Sequence, residues 1–130
     1  MPVVVGYVDS PEGRGALRAA VHEARARDGR VVVVMSAPRG SPAAELDAAA
    51  DEVRAFLDDA KVQYEVRRTA RSGDPAEDIV QTAQGEQAEL VVIGLRRRSA
   101  VGRIFLGAKA QRILLDAPCP VLTVKSDAQD

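Results

Sequence analysis

The stretch that decides the fold is ELVVIGLRRRSAVGRIFLGAKAQRILLD, Glu89–Asp116. It opens on Glu89 to Leu95, an apolar run without polar alternation, the pattern of a strand buried on both faces of a parallel sheet. It closes on a helix pattern from about Ala108 to Asp116 that places Ile113 and Leu114 inward. Between the two, from Gly94 to Arg112, lie six Arg or Lys residues, three glycines and no acid. Strand, glycine-bearing basic loop and helix follow one another in that order.

The same alternation runs through the rest of the chain. Val3 to Val8 and Val31 to Met35 are two more continuous apolar runs and predict central strands. VQYEVRR, in which Val62, Tyr64 and Val66 alternate with polar residues, and Pro120 to Lys125 are less apolar and suit edge positions, a proline opening the last of them. Three further helices carry their own punctuation. Ser10 caps the first, with Pro11 at its first position and Ala16, Leu17, Ala20, Val21 and Ala24 on one face, and Gly29 ends it. The second spans about Pro42 to Ala60, with Leu46, Ala49, Val53, Phe56, Leu57 and Ala60 inward. In the third, Asp74 caps, Pro75 follows and Glu77 closes a capping-box-like pair, while Ile79, Val80 and Ala83 face the core. Five strands alternating with four helices predict an α/β fold, a single doubly wound parallel sheet with right-handed crossovers.

With 130 residues, 46% of them hydrophobic, the chain is expected to form one domain over 1–130, with 124–130 as a partly frayed tail. No apolar run approaches a membrane span, and the opening residues lack a signal-peptide pattern, so a cytoplasmic protein without a membrane partner is expected. The lone Cys119 has no partner for an internal disulfide, and with a single histidine, His22, there is no metal-ligand cluster. Eighteen bases balance nineteen acids and only four aromatics are present, which argues against a nucleic-acid surface. With the six bases of the loop set aside, 12 face 19 acids, so positive charge is concentrated there and an anion is its natural partner.

Ligands of open α/β sheets bind beyond the carboxyl ends of the strands, where strand order reverses. Two such ends are chemically marked: Asp9 and Ser10 after the first strand, and Gly94 with the arginines after the fourth. Should these strands be neighbours, Asp9 can accept from ribose hydroxyls while Arg97, Arg98, Lys109 and the amides of a helix beginning after Gly107 take phosphates. In this reading Gly94, Gly102 and Gly107 allow close backbone approach or positive φ. In the other reading the glycines serve only loop geometry and the arginines are solvated. Asp9 lacks the second acid that a phospho-acceptor or paired-carboxylate site needs, and no residue stands out as an attacking-water base, so no enzyme is expected. Cys119, between two prolines and without a histidine nearby in sequence, reads as a buried structural thiol, and His22 as a surface histidine. Asp58 and Asp59 read as the solvated end of the second helix.

GLRRRSAVGRIFLGAKAQRILLDAPCPVLTVK, with VDS after the first strand and SGDPAEDIV before the third helix, resembles the universal stress protein family over Val3 to Lys125. The resemblance implies a Rossmann-like sheet of the adenine-nucleotide α-hydrolase kind, in the order 3-2-1-4-5, and a homodimer formed through the last strand. In one branch of the family it implies ATP, possibly with Mg, on a G-x-x-G-x9-G-[S/T] motif; another branch does not bind ATP. Gly94 and Gly107 match the first and third glycines, whereas Arg97 stands at the second and Ala108 at the hydroxyl position. Asp9 matches the acid for the nucleoside, and Ser36 lies where an adenine contact is made. The missing hydroxyl at 108 removes one phosphate donor, a loss of about 1 kcal/mol, and leaves the backbone amide. Arg97 either grips phosphate or fills the space a glycine leaves open. The implied function is adenine-nucleotide binding, ATP first and AMP or cyclic AMP next, in a stress-response or regulatory role. The alternative is a dimeric stress-related interaction protein that has lost ATP.

Overall fold

The computed structural model describes residues 1–36, 40–69, 74–96 and 107–126. The described elements are β1 (Val3–Tyr7), α1 (Pro11–Ala26), β2 (Val31–Met35), α2 (Ala43–Ala60), β3 (Tyr64–Arg68), α3 (Pro75–Gly85), β4 (Leu90–Arg96), α4 (Ala108–Asp116) and β5 (Val121–Ser126). All pairings are parallel and the order is β3-β2-β1-β4-β5. Val3 lies between Val31 and Leu90, and Val5 between Val33 and Val92, which fixes the register at the centre of the sheet. The two less apolar strands, β3 and β5, are the edges. Val124, Lys125 and Ser126 pair with Gly94, Leu95 and Arg96, so the strand runs three residues into the tail expected to fray from 124.

Alternate residues of the central strands feed two cores. Val3, Val5, Tyr7, Val31 and Val33 meet Ala16, Leu17, Ala20 and Ala24 of α1 and Ala50, Val53 and Leu57 of α2. Val4, Val32, Val34, Val91 and Ile93 meet Ala76, Ile79, Val80 and Ala83 of α3 and Ile113 of α4. Burial on both faces is why these strands carry no polar alternation: each fully buried valine is worth roughly 1.5–3 kcal/mol over exposure.

Two residues expected inside are not. Phe56 is 38% and Leu114 40% exposed. Each stands one position, about 100° of helix, from a buried neighbour, Leu57 or Ile113, so each falls on a flank. The flank of α2 borders the gap toward α1, and α4 lies at the β5 end of its layer, with Leu115 wholly outward. Leu46 and Ala60 are half-buried, and Val62 precedes β3 rather than joining it.

Capping chemistry sets the helix starts. Ser10 Oγ accepts from the Gly13 amide at 3.1 Å, and Asp74 Oδ1 accepts from the Ala76 amide at 2.9 Å, with Pro11 and Pro75 as first helical residues. The capping box expected at Glu77 is not what its carboxylate serves: Gln81 Nε2 donates to Oε1 at 2.9 Å, and Oε2 pairs with Arg112. Helix α2 starts one residue later than expected, with Pro42 as its N-cap.

At the opposite edge, Arg30 and Arg67 both donate to Glu86, the latter at 2.7 Å, joining the approach to β2, the strand β3 and the end of α3. The two guanidiniums hold the Glu86 carboxyl below its usual range. A carboxyl whose pKa is lower folded than unfolded stabilises the protein above the unfolded value, about 4.3, and loses that contribution as pH falls through the folded value. The Glu86→Gln variant is therefore expected to be less stable than wild type at neutral pH, the gap narrowing below about pH 4, as measured by urea melts across pH. A gap that did not depend on pH would remove Glu86 from the acid response.

Candidate functional site

In a parallel sheet flanked by crossover helices, strand carboxyl ends and helix amino ends gather on one edge. Here they enclose a cleft of about 580 Å³ on the α3–α4 face. Gly6, Val8 and Ser10 come from β1 and the turn after it, Ser36 from the end of β2, and Ile93, Gly94 and Leu95 from β4. Three helix starts complete it: Glu12 and Gly13 of α1, Pro75 and Ala76 of α3, and Gly107, Ala108, Lys109 and Ala110 of α4. Ile79, Ile93 and Ile113 make the lining partly apolar, and the amides of the helix starts make the opposite part donor-rich.

The three helix starts are not equivalent. Ser10 and Asp74 occupy amides of α1 and α3, but Gly107, the N-cap of α4, has no side chain to do so. The first intrahelical bond of α4 runs from the Gln111 amide to the Gly107 carbonyl at 3.0 Å, so the amides of Ala108, Lys109 and Ala110 precede the ladder. They carry the positive end of the helix dipole onto the cleft, with exposed Lys109 beside them.

The glycines divide by role. A Cβ on Gly94 would lie 2.3 Å from the Glu12 carbonyl oxygen, and one on Gly13 would lie 1.8 Å from that of Val8. Both are needed so that the start of α1 can sit against the strand ends. A Cβ on Gly107 would meet nothing within 4 Å among the described residues, and its φ of −68° is open to any residue. Neither Gly94 nor Gly107 has the positive φ allowed for in the sequence; among the described residues only Gly40 is a glycine of that kind.

Of the residues singled out in the sequence, the fold brings Ser36, Gly94, Gly107, Ala108 and Lys109 onto the cleft. Asp9 is at the rim between Val8 and Ser10 but does not line the cleft: its carboxylate is 56% exposed and pairs with Arg14 at 3.1 Å. Arg97 and Arg98, with Gly102, lie outside the described residues. Arg112, the last base of the loop segment, serves α3: it pairs with Asp74 at 2.7 Å, with Glu77, and with Asp116 at 3.6 Å, tying together the two helices that form one wall. Glu12, Gly13, Pro75 and Ala76 were not anticipated. Their signal was present, since each lies in a first turn just after a capping residue, where a parallel sheet puts its ligand edge. Ile79, Ile93 and Ile113 gave no such signal, because a cleft wall and a core look alike in sequence.

Cys119 is half-buried against the second core, just ahead of β5 and so at the far edge from the cleft. Burial pushes its thiol pKa up, which disfavours the thiolate. His22 is exposed on α1, and Asp58, also exposed, accepts from the Tyr64 hydroxyl at 2.7 Å. Among the described residues no group of three or more His, Cys, Asp or Glu could hold a metal ion, and no helix is long and apolar enough to cross a membrane.

Comparison with known proteins agrees with this architecture. The model of the universal stress protein family matches residues 1–125. A universal stress protein of Mycolicibacterium smegmatis is 38% identical over 127 residues, covering 95% of this chain and 96% of that protein. The structure of a universal stress protein from Archaeoglobus fulgidus superposes with a TM-score of 0.78 at 31% identity, over 96% of this chain and 98% of that one. A universal stress protein of the same organism in complex with dAMP gives 0.74 at 28% identity, with the same coverage.

Proposed function

The chain belongs to the universal stress protein family, and from that premise we propose that its cleft binds an adenine nucleotide, ATP in the first place and AMP or cyclic AMP next. The observation that carries the proposal is the start of α4, whose first amides meet the cleft without a capping side chain and with Lys109 alongside. Phosphate oxygens complement that arrangement, and the apolar part of the lining suits a purine ring. The dAMP complex of the Archaeoglobus fulgidus relative supports the choice of base. Arg14 engages only Oδ1 of Asp9, in an exposed pair of small net worth, so the rim carboxylate keeps acceptor sites for a ribose hydroxyl. Calorimetry with ATP and Mg, AMP and cyclic AMP tests the reading. Heat and a raised melting temperature are expected with ATP, and neither with any of the three would overturn it.

The role proposed is binding in a stress-response or regulatory context, without a dedicated catalytic group. Among the described residues, Glu12 is the carboxylate on the cleft wall. Steady ADP release that disappears in Glu12→Gln would make the protein a hydrolase instead. We further propose a homodimer through β5, which is an edge of the sheet and carries Leu122, 37% exposed. A monomeric mass in light scattering at micromolar concentration would contradict it.

The second reading, an interaction protein without nucleotide, is favoured by Ala108, which offers an amide but no hydroxyl. Absence of ATP binding in wild type together with its appearance in Arg97→Gly/Ala108→Ser would select that reading.

A further inference from the structure

On the other flank of α3 from the cleft lies a second depression of about 310 Å³, lined by Arg67 and Arg68 at the end of β3, Thr69 just after it, and Asp78, Gln81 and Thr82 of α3. It exists because β3 is an edge strand: α3 covers β1 and β2 with Ala76, Ile79, Val80 and Ala83, and its other side overhangs the uncovered end of β3.

One atom in it is out of place for a merely solvated groove. Asp78 Oδ2 is shielded from solvent and accepts no hydrogen bond among the described residues. A carboxylate oxygen in that condition costs free energy unless a donor is supplied. Of the neighbouring side-chain donors, Gln81 Nε2 is committed to Glu77, Arg67 Nε and Nη2 to Glu65 and Glu86, and Arg68, on the α2 face of β3, to Asp47 at 2.7 Å, and neither the Thr69 nor the Thr82 hydroxyl bonds Asp78 Oδ2. A guanidinium has five N–H groups, so Arg67, with Nε and Nη2 engaged, keeps Nη1 for an acceptor.

We propose that this depression is a second ligand site, for a small zwitterion that presents a protonated amine or guanidinium to Asp78 and a carboxylate to Arg67. Inside a partly shielded pocket both contacts are charge-assisted and worth more than their neutral counterparts. The site is separate from the cleft, although α3 lends a side to each, and it does not depend on what the cleft binds.

The probe is L-arginine, titrated at millimolar concentration into nitrogen-15-labelled full-length protein and followed by amide shifts. Saturable shifts at Thr69, Asp78, Gln81 and Thr82 are expected, with those of Gly107 to Ala110 unmoved. The Asp78→Asn variant, its fold verified by its amide spectrum, is expected to weaken binding at least about tenfold, as is replacement of the probe by agmatine, which lacks the carboxylate. Absence of shifts would mean that a water molecule suffices for Asp78 and would overturn the proposal. So would shifts confined to the cleft, equal affinity in Asp78→Asn, or equal affinity for agmatine.

Discussion

An aspartate in place of Gly107 is expected to weaken nucleotide binding by roughly tenfold to a hundredfold while leaving the fold as stable as before, or slightly more so. The Gly107 backbone is already extended, with φ −68° and ψ 169°, and a Cβ there meets nothing within 4 Å among the described residues, so none of them opposes the substitution. As an N-cap its carboxylate accepts from the amide of Lys109 or Ala110 and faces the positive end of the α4 dipole, a gain of about 0.3–1 kcal/mol. Those same amides are the ones offered to phosphate, and a fixed negative charge beside them repels what it does not displace. Losing a charge-assisted contact of about 1.5–3 kcal/mol corresponds to the stated change in affinity. Calorimetry with ATP and a thermal melt of the free protein read the two effects separately. Unchanged affinity would place the phosphates away from α4.

Alanine at Gly94 is expected to do the opposite, losing binding because the fold itself is damaged. Its Cβ would stand 2.3 Å from the Glu12 carbonyl oxygen and 2.7 Å from the Glu12 carbonyl carbon. Those are backbone atoms, so no rotamer change relieves the contact and the start of α1 must move off β4. Overpacking of this kind costs about 1–3 kcal/mol or more, and a fall in melting temperature of about 10 °C is the expected result. Gly13→Ala, whose Cβ would stand 1.8 Å from the Val8 carbonyl oxygen, is expected to be at least as severe. Gly85→Ala is the control: it ends α3 with nothing within 4 Å, and a neutral or slightly stabilising change is expected. Equal melting temperatures for Gly94→Ala and wild type would refute the packing role and return Gly94 to a purely ligand-facing one.

These two glycines show why the loop segment could be read only in part. Gly94 and Gly107 have the same standing in the sequence, one at each end of a basic loop, and both were open to a phosphate-approach role. In the fold one is required by the first turn of another helix and the other by nothing among the described residues. That difference depends on where Glu12 lies, more than eighty positions away along the chain. Arg112 makes the same point about charge. It belongs to the basic run in sequence, but α3 presents Asp74 and Glu77 to it, so it holds a wall of the cleft together instead of facing a ligand.

What the amino-acid order determined by itself was local and periodic. Unbroken valine runs demand burial on both faces, Ser10 and Asp74 before prolines fix helix starts, and five strands alternating with four helices leave a doubly wound sheet as the consistent arrangement. Those features follow from backbone hydrogen bonding and apolar surface, which act over a few residues. Only the tertiary structure decided which glycine packs and which stays open, that Asp9 pairs with Arg14 at the rim, that Phe56 and Leu114 fall on uncovered flanks, and that Asp78 Oδ2 has no donor among the described residues. Each depends on which distant backbone or side chain arrives within a few ångströms, and the chain's own periodicity carries no record of that.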